Sequence, residues 1–290
     1  MTYKTLVLAV ETSSRIGSVA IAFGKNILAE TTFSAPIRHS AEIFPAISDI
    51  LNRFSKKPEN IEQVHISSGP GSFTGLRIAV TLAKSMHLAN AAKIIAVDTL
   101  DVIAANANDY IKEKNTATTS HSESFCRHLE TGQIEDPPGR KSPERIATII
   151  DAKRGQFFIA VYERPHENTV SFLRKQESTS AIPNTQYAIR DTSYGIWKKV
   201  FPDSIMTAPQ FLDQFTHDER PIWLLGDGLL YYKDKFKADT VQFLDEKYWS
   251  PRASKVLLLG WKKALTEKFD DPLTLTPNYL LRPDIKIKTR

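Results

Sequence analysis

The stretch "SSGPGSFTGLR", residues 67–77, follows the apolar "IEQVHI" and leads into a helix-patterned run. Two glycines where a strand ends and a helix begins make a turn whose backbone N–H groups can cradle a phosphate. A second polar break, "ETSS", interrupts the first apolar run at Glu11, Thr12 and Ser13. Later, "IIDAKRG" sets Asp151 in the same position relative to its strand. Glu11, Thr12 and Ser13 with the Gly69–Gly71 turn could hold phosphates, and Asp151 a magnesium-bound water. That chemistry is a small-molecule kinase or nucleotide hydrolase.

Other chemistries fit less well. Five residues separate Gly69 from Gly75 and Leu76 follows, so the lysine of a P-loop is missing. As a dinucleotide fingerprint the turn has Gly69 and Gly71 but Thr74 at the third glycine, with Asp98 as the ribose acid. Three strands ahead of the turn also argue against that reading. Ser13, Ser72 and His39 lack a third orienting group for a hydrolase. His121, Cys126 and His128 fall in a polar stretch that would not fix ligand geometry.

The elements that position these residues form a repeating plan. "TLVLAVETSSRIGSVAIAFGKNILAETTF" reads as three strands with sharp turns. A helix at 40–54, a strand near 62–67, a helix at 74–90 and the strand "KIIAV" complete βββαβαβ, with Ser40 a fair cap and Pro45 leaving the first helix start open. "ATIIDAKRGQFFIAVYE" repeats the opening pattern, and "PIWLLGDGLL" sets a strand before a glycine pair as "VHISSGPG" does. The pattern predicts an α/β fold of two duplicated actin-like (ribonuclease H-like) βββαβα lobes. The domains are a lobe at 1–110, a mobile insertion or linker at 111–145, and a diverged lobe at 146–290. Segment 111–145 carries only Ile111, Ala117, Phe125, Cys126, Leu129 and Ile134 as apolar residues, too few to offset its ordering entropy. Segment 165–195 is polar and fits no element, while "SPRASKVLLLGWKKALTEKF" predicts a late amphipathic helix.

Composition bounds the rest. The 290 residues are 41% hydrophobic and 24% charged, with a net charge of +5, which permits an acidic partner such as RNA without requiring one. A single cysteine excludes an internal disulfide. "TLVLAV" is short for a signal segment, and no apolar run nears the roughly 20 residues of a membrane span. The expected location is the cytoplasm, without membrane contact.

"LAVETSSRIGSVAI", "RHSAEIFPAI", "SSGPGSFTGLRIAVTLAKSMHLA", "AVDTLD", "IIDAKRGQFF" and "PNYLLRP" together resemble the TsaB (YeaZ) family. The likeness is strong over residues 5 to about 104 and patchy over 146–290. It implies a bacterial subunit of the machinery that makes threonylcarbamoyladenosine at position 37 of tRNA. Such a subunit is non-catalytic and supports a TsaD-like catalytic partner. A TsaE-like ATPase and tRNA join the complex, and alone the subunit forms a homodimer. No cofactor is required by the subunit itself; ATP or ADP enters at the level of the complex. In the catalytic relative, two histidines four apart hold a metal, and those positions fall here on Thr99 and Ile103, neither a substitute ligand. The family's contact surface maps to helices 40–54 and 74–90. Ile43, Ile47, Leu76, Leu82 and Met86 are then the larger contacts, and Ala79 and Ala83 the small residues that allow close helix approach.

Overall fold

The computed structural model describes residues 4–33, 39–125, 142–165 and 197–280. The first lobe runs β1 (Leu6–Glu11), β2 (Gly17–Phe23), β3 (Asn26–Phe33), α1 (His39–Arg53), β4 (Gln63–Gly69), α2 (Phe73–Asn90), β5 (Lys93–Asp98) and α3 (Thr99–Phe125). The second runs β6 (Arg145–Lys153), β7 (Gln156–Glu163), β8 (Lys198–Thr207), α4 (Ala208–Phe215), β9 (Ile222–Leu225), the short α5 (Leu229–Tyr232), β10 (Val241–Phe243) and α6 (Ala253–Leu265). The sheets are ordered β3-β2-β1-β4-β5 and β8-β7-β6-β9-β10. These are the same topology twice: an antiparallel hairpin pair, then two parallel strands on the other side of the first strand. The duplication read from the sequence is therefore present in the fold.

Alternation along β1 explains its unbroken apolar run. Leu6, Leu8 and Val10 point into a core with α1 and α2. Val7 and Ala9 point the other way, into a core with Val256, Leu257, Trp261 and Ala264 of α6. A strand buried on both faces has no polar face to show. The last helices are exchanged between lobes. α6 packs on the first sheet, while Leu100, Ile103, Ala104 and Ala107 of α3 join the core of the second. Helix α1 starts at His39, so Ser40 lies inside it, and Pro45 sits within the helix, exposed.

One expectation about the middle of the chain changes. α3 continues to Phe125, so residues 111–125 extend a helix and the linker does not begin at 111. The helix is anchored by its first three turns, and propagation beyond a formed helix costs far less than nucleation. Residues 126–141 and 166–196 lie outside the described residues. So do Cys126, His128 and the side chains of His39 and His121. Among the described residues, no helix is long and apolar enough to cross a membrane.

His65 shows how tightly α6 seals the first sheet. Its ring is fully buried, with Nδ1 3.3 Å from the Leu257 carbonyl and Nε2 3.1 Å from the Gln63 side-chain amide. Gly260 passes so close that a Cβ there would stand 2.4 Å from Nδ1. Burial lowers the imidazole pKa to about 3, the Leu257 carbonyl partly opposing. The unfolded chain protonates His65 near 6.5, so the folded state takes up fewer protons between about 6.5 and 3. Stability from this residue is complete above about pH 6.5 and falls with acidification at about 1.4 kcal/mol per pH unit. Denaturant titrations from pH 7 to 4.5 should show a shallower slope for His65→Gln than for the wild type. Parallel slopes would mean that the ring is charged in the folded state.

Candidate functional site

The two halves face each other across a cleft of about 700 Å³. Its first wall is the β1–β2 turn against the β4–α2 turn. Glu11, at the end of β1, is fully buried. One carboxylate oxygen accepts from the Ser13 amide at 2.6 Å and the Ser13 hydroxyl at 2.5 Å, and the other accepts from the Ser67 hydroxyl. Burial raises the Glu11 pKa and these three hydrogen bonds oppose the rise. The Thr12 hydroxyl donates to the Gly75 carbonyl at 2.7 Å. The Ser72 amide donates to the Ser13 carbonyl at 2.7 Å, and the Ser72 hydroxyl caps the Gly75 amide at 3.3 Å.

Glycine is needed here because backbones touch. A Cβ at Gly71 would stand 2.4 Å from the Ser13 carbonyl oxygen, and one at Gly75 1.7 Å from that of Thr12. At these two glycines the neighbouring turn packs directly against the backbone. A strap from the chain's end covers the start of α2. The Asn278 amide donates to the Ser68 carbonyl at 2.7 Å, and Tyr279 lies 5.0 Å from the Phe73 ring while its hydroxyl accepts from Arg77 at 3.1 Å.

The second wall repeats the first with one change. Gly226, Asp227 and Gly228 follow β9 as Gly69, Pro70 and Gly71 follow β4, and again a Cβ on either glycine would strike the strand beside it. Asp227, in the place of Pro70, is buried and turned toward the cleft, where it accepts a hydrogen bond from the Arg15 backbone. Its Oδ1 has no hydrogen-bond partner. Burial first, then the charges of Glu11 and Asp151, raise its pKa to about 7. Asp151 itself is paired with Lys153, whose ammonium lies 2.7 Å away.

The structure thus separates the residues singled out by sequence. Ser13, Gly71 and Asp151 line the cleft, together with Arg15, Lys153 and Arg154. Glu11, Thr12 and Gly69 stand behind that lining as the scaffold of the turn. Asp227 and Tyr279 were missed, although "GDG" beside "GPG" and the "PNYLL" segment were visible signals. A nucleotide's phosphates entering between the turns would meet the Asp151 and Asp227 carboxylates as well as Arg15, Lys153 and Arg154, while the Ser13, Ser72 and Gly75 amides already have partners. No group of three or more His, Cys, Asp or Glu among the described residues is placed to hold a metal ion.

The helix-face assignments need correction. Ile43, Leu76, Ala79 and Ala83 are completely buried, Ile47 and Leu82 nearly so, and Met86 packs against the same cluster. This stripe faces the chain's own first sheet, and Ala79 and Ala83 let α2 approach that sheet closely. The outer side of the helix pair is different: Phe44 is 61% exposed and Leu88 84%. A shallow groove of about 360 Å³ runs there, bordered by Phe44, Phe73, Arg77, Ile78 and Thr81, and Leu82 of the assigned interface set also reaches it. Thr99 and Ile103 at the start of α3 are both fully buried.

The duplicated sheets and the facing turns define a member of the actin-like α/β class. The chain matches residues 27–117 to the TsaD family, described as tRNA N6-adenosine threonylcarbamoyltransferase. Among curated relatives, the Bacillus subtilis tRNA threonylcarbamoyladenosine biosynthesis protein TsaB is 24% identical over 285 residues, covering 97% of this chain and 96% of that protein. The Escherichia coli K12 protein of the same name is 28% identical over 158 residues, 54% of this chain and 55% of that one. Of solved structures, YeaZ from Pseudomonas aeruginosa superposes with a TM-score of 0.64 at 17% identity, covering 95% of this chain and all of that one. A second Pseudomonas aeruginosa structure, described as similar to peptidase YeaZ, gives 0.66 at 17% identity over 96% of this chain and 100% of that one. The chain is thus similar over nearly its whole length to a protein named TsaB and shares the fold of YeaZ.

Proposed function

We propose that this protein is a non-catalytic subunit of the complex that forms N6-threonylcarbamoyladenosine in tRNA, supporting a TsaD-like transferase. Involvement in threonylcarbamoyladenosine biosynthesis is supported by the likeness to the Bacillus subtilis TsaB over 97% of this chain. The supporting role rests on one observation above others: amides of the turns that would bind phosphate are engaged within the protein, the Ser72 amide on the Ser13 carbonyl, the Ser13 amide on Glu11 and the Gly75 amide on the Ser72 hydroxyl. Buried Thr99 and Ile103 at the catalytic relative's metal positions point the same way. The partner face we assign is the outer groove of α1 and α2, not the inward stripe. Phe44 is the apolar anchor and Arg77 a rim charge, the pattern of a small interface core. A TsaE-like ATPase and tRNA join through that complex, and a second copy occupies the groove when the partner is absent.

Phe44→Asp tests this assignment without disturbing the core, because Phe44 is largely in solvent. The variant should keep the wild-type melting temperature and circular dichroism, while retention of a tagged TsaD-like partner falls at least about tenfold, about 1.4 kcal/mol. Undiminished co-purification would remove the groove from the interface.

A further inference from the structure

Where β5 of the first sheet ends beside β8, the edge strand of the second, five polar side chains converge. Lys199 of β8 places Nζ 2.6 Å from Asp203, 2.8 Å from Asp101 and 3.7 Å from Asp98. Tyr162 of β7 donates its hydroxyl to Asp101 at 2.8 Å. Asp98 also accepts the Leu100 and Asp101 amides at 2.8 and 3.2 Å, which caps the start of α3. Asp98 and Asp203 face the same ammonium from two lobes. Carboxylates gathered around one cation repel each other less when one carries a proton. Three acids around one ammonium leave the cluster short of positive charge, and the side chains of Asp98 and Asp203 are only 21% and 13% exposed. Such an excess is costly where water is scarce.

We propose that Asp98, Asp101, Lys199 and Asp203 form a proton-dependent latch between the lobes. With a proton on the Asp98–Asp203 pair, Lys199 ties the β8 edge to the end of β5. With that proton gone, the two carboxylates repel and the tie slackens. The groups facing Asp98 are Asp101 on its own side, Tyr162 from β7, and Lys199 and Asp203 from β8. Asp98 pairs in the β4–β5 register with Gly69, which stands behind the cleft lining.

Electrostatics agree with the geometry. Burial, then the Asp203 hydrogen bond and the Asp101 charge, push Asp98 up to about 8, Lys199 opposing. Burial works against the Lys199 charge, but Asp98 and Asp101 outweigh it and hold the ammonium above its ordinary range. Burial likewise raises Tyr162, so its hydroxyl stays a neutral donor. Because the folded pKa of Asp98 exceeds its unfolded value near 3.9, its stabilisation is complete below about pH 4. It is lost as pH rises toward 8 and changes little beyond.

The test uses the whole chain. A carboxyl-carbon NMR titration of the wild type should place the Asp98 midpoint near 8; a midpoint below 5 overturns the proposal. Amide exchange of β8, corrected for intrinsic pH dependence and referred to β1, should lose protection about tenfold between pH 6 and 9, one pKa unit of coupling. Unchanged protection overturns the latch even if Asp98 titrates near 8. Asp98→Asn keeps the helix cap and donates its amide to Asp203, so β8 protection in that variant should not respond to pH. A wild-type response in the variant would assign the effect to another group. Should that variant not fold, the two wild-type measurements decide alone.

Discussion

Ala83→Glu unfolds the protein instead of releasing a soluble monomer. Ala83 has no exposed surface and sits among Ile43, Ile50, Leu76, Ala79 and Ile94 in the core beneath α1 and α2. A glutamate there must either bury its charge without a partner or force α2 off the sheet. An unpaired buried charge costs on the order of 5 kcal/mol or more. Domains of this kind have only about 5–15 kcal/mol in total. Circular dichroism at 25 °C should show lost helix signal, and most of the protein should be insoluble on expression. A folded, soluble Ala83→Glu chain would mean that α2 is rotated relative to the sheet, with Ala83 outward as the family resemblance implied.

Gly75→Ala should be nearly as damaging, although alanine favours helices over glycine by up to about 1 kcal/mol. The added methyl would stand 1.7 Å from the Thr12 carbonyl oxygen and 2.8 Å from its carbon. Neither backbone can yield freely. Thr12 is bonded to the Gly75 carbonyl, and Ser13 is held by Glu11 on one side and Ser72 on the other. The start of α2 must move away, breaking these bonds together, at a cost of about 3 kcal/mol or more. At roughly 2–4 °C per kcal/mol for a chain of this size, the melting temperature should drop by about 6–12 °C. Gly155 is the contrast: a Cβ there meets nothing within 4 Å, and only its φ of +75° opposes alanine, worth about 1–2 kcal/mol. A smaller loss at Gly75 than at Gly155 would show that the two turns are not locked.

Several features were legible before the fold was known. The repeat of "VLAVETSSRIGSV" in "ATIIDAKRGQFF" is a local pattern of strand, acid and glycine turn, and it marks both sheets correctly. The helix over 111–125 was not legible, because its polar residues carry no apolar stripe and it rides on Leu100, Ile103, Ala104 and Ala107 packed against a distant sheet. Exchange of α3 and α6 between lobes is likewise a long-range fact that no local window contains. On α2 the stripe through Leu76, Ala79, Ala83 and Met86 was visible, but periodicity gives a face and not its direction. Phe44 and Leu88 make the opposite side apolar too. Asp227 escaped because "GDG" reads as a flexible turn; its meaning comes from Glu11 and Asp151, which folding brings beside it.

The central claim is that this chain supports the chemistry of tRNA modification without performing it. The direct measurement is reconstitution: tRNA, threonine, bicarbonate, ATP and the adenylate-forming enzyme, with and without a TsaD-like transferase and a TsaE-like ATPase. Modified adenosine should be absent when this chain replaces the transferase, and should form with the transferase only when this chain is also present. Modified adenosine made without the transferase, or a transferase rate indifferent to this chain, would contradict the account.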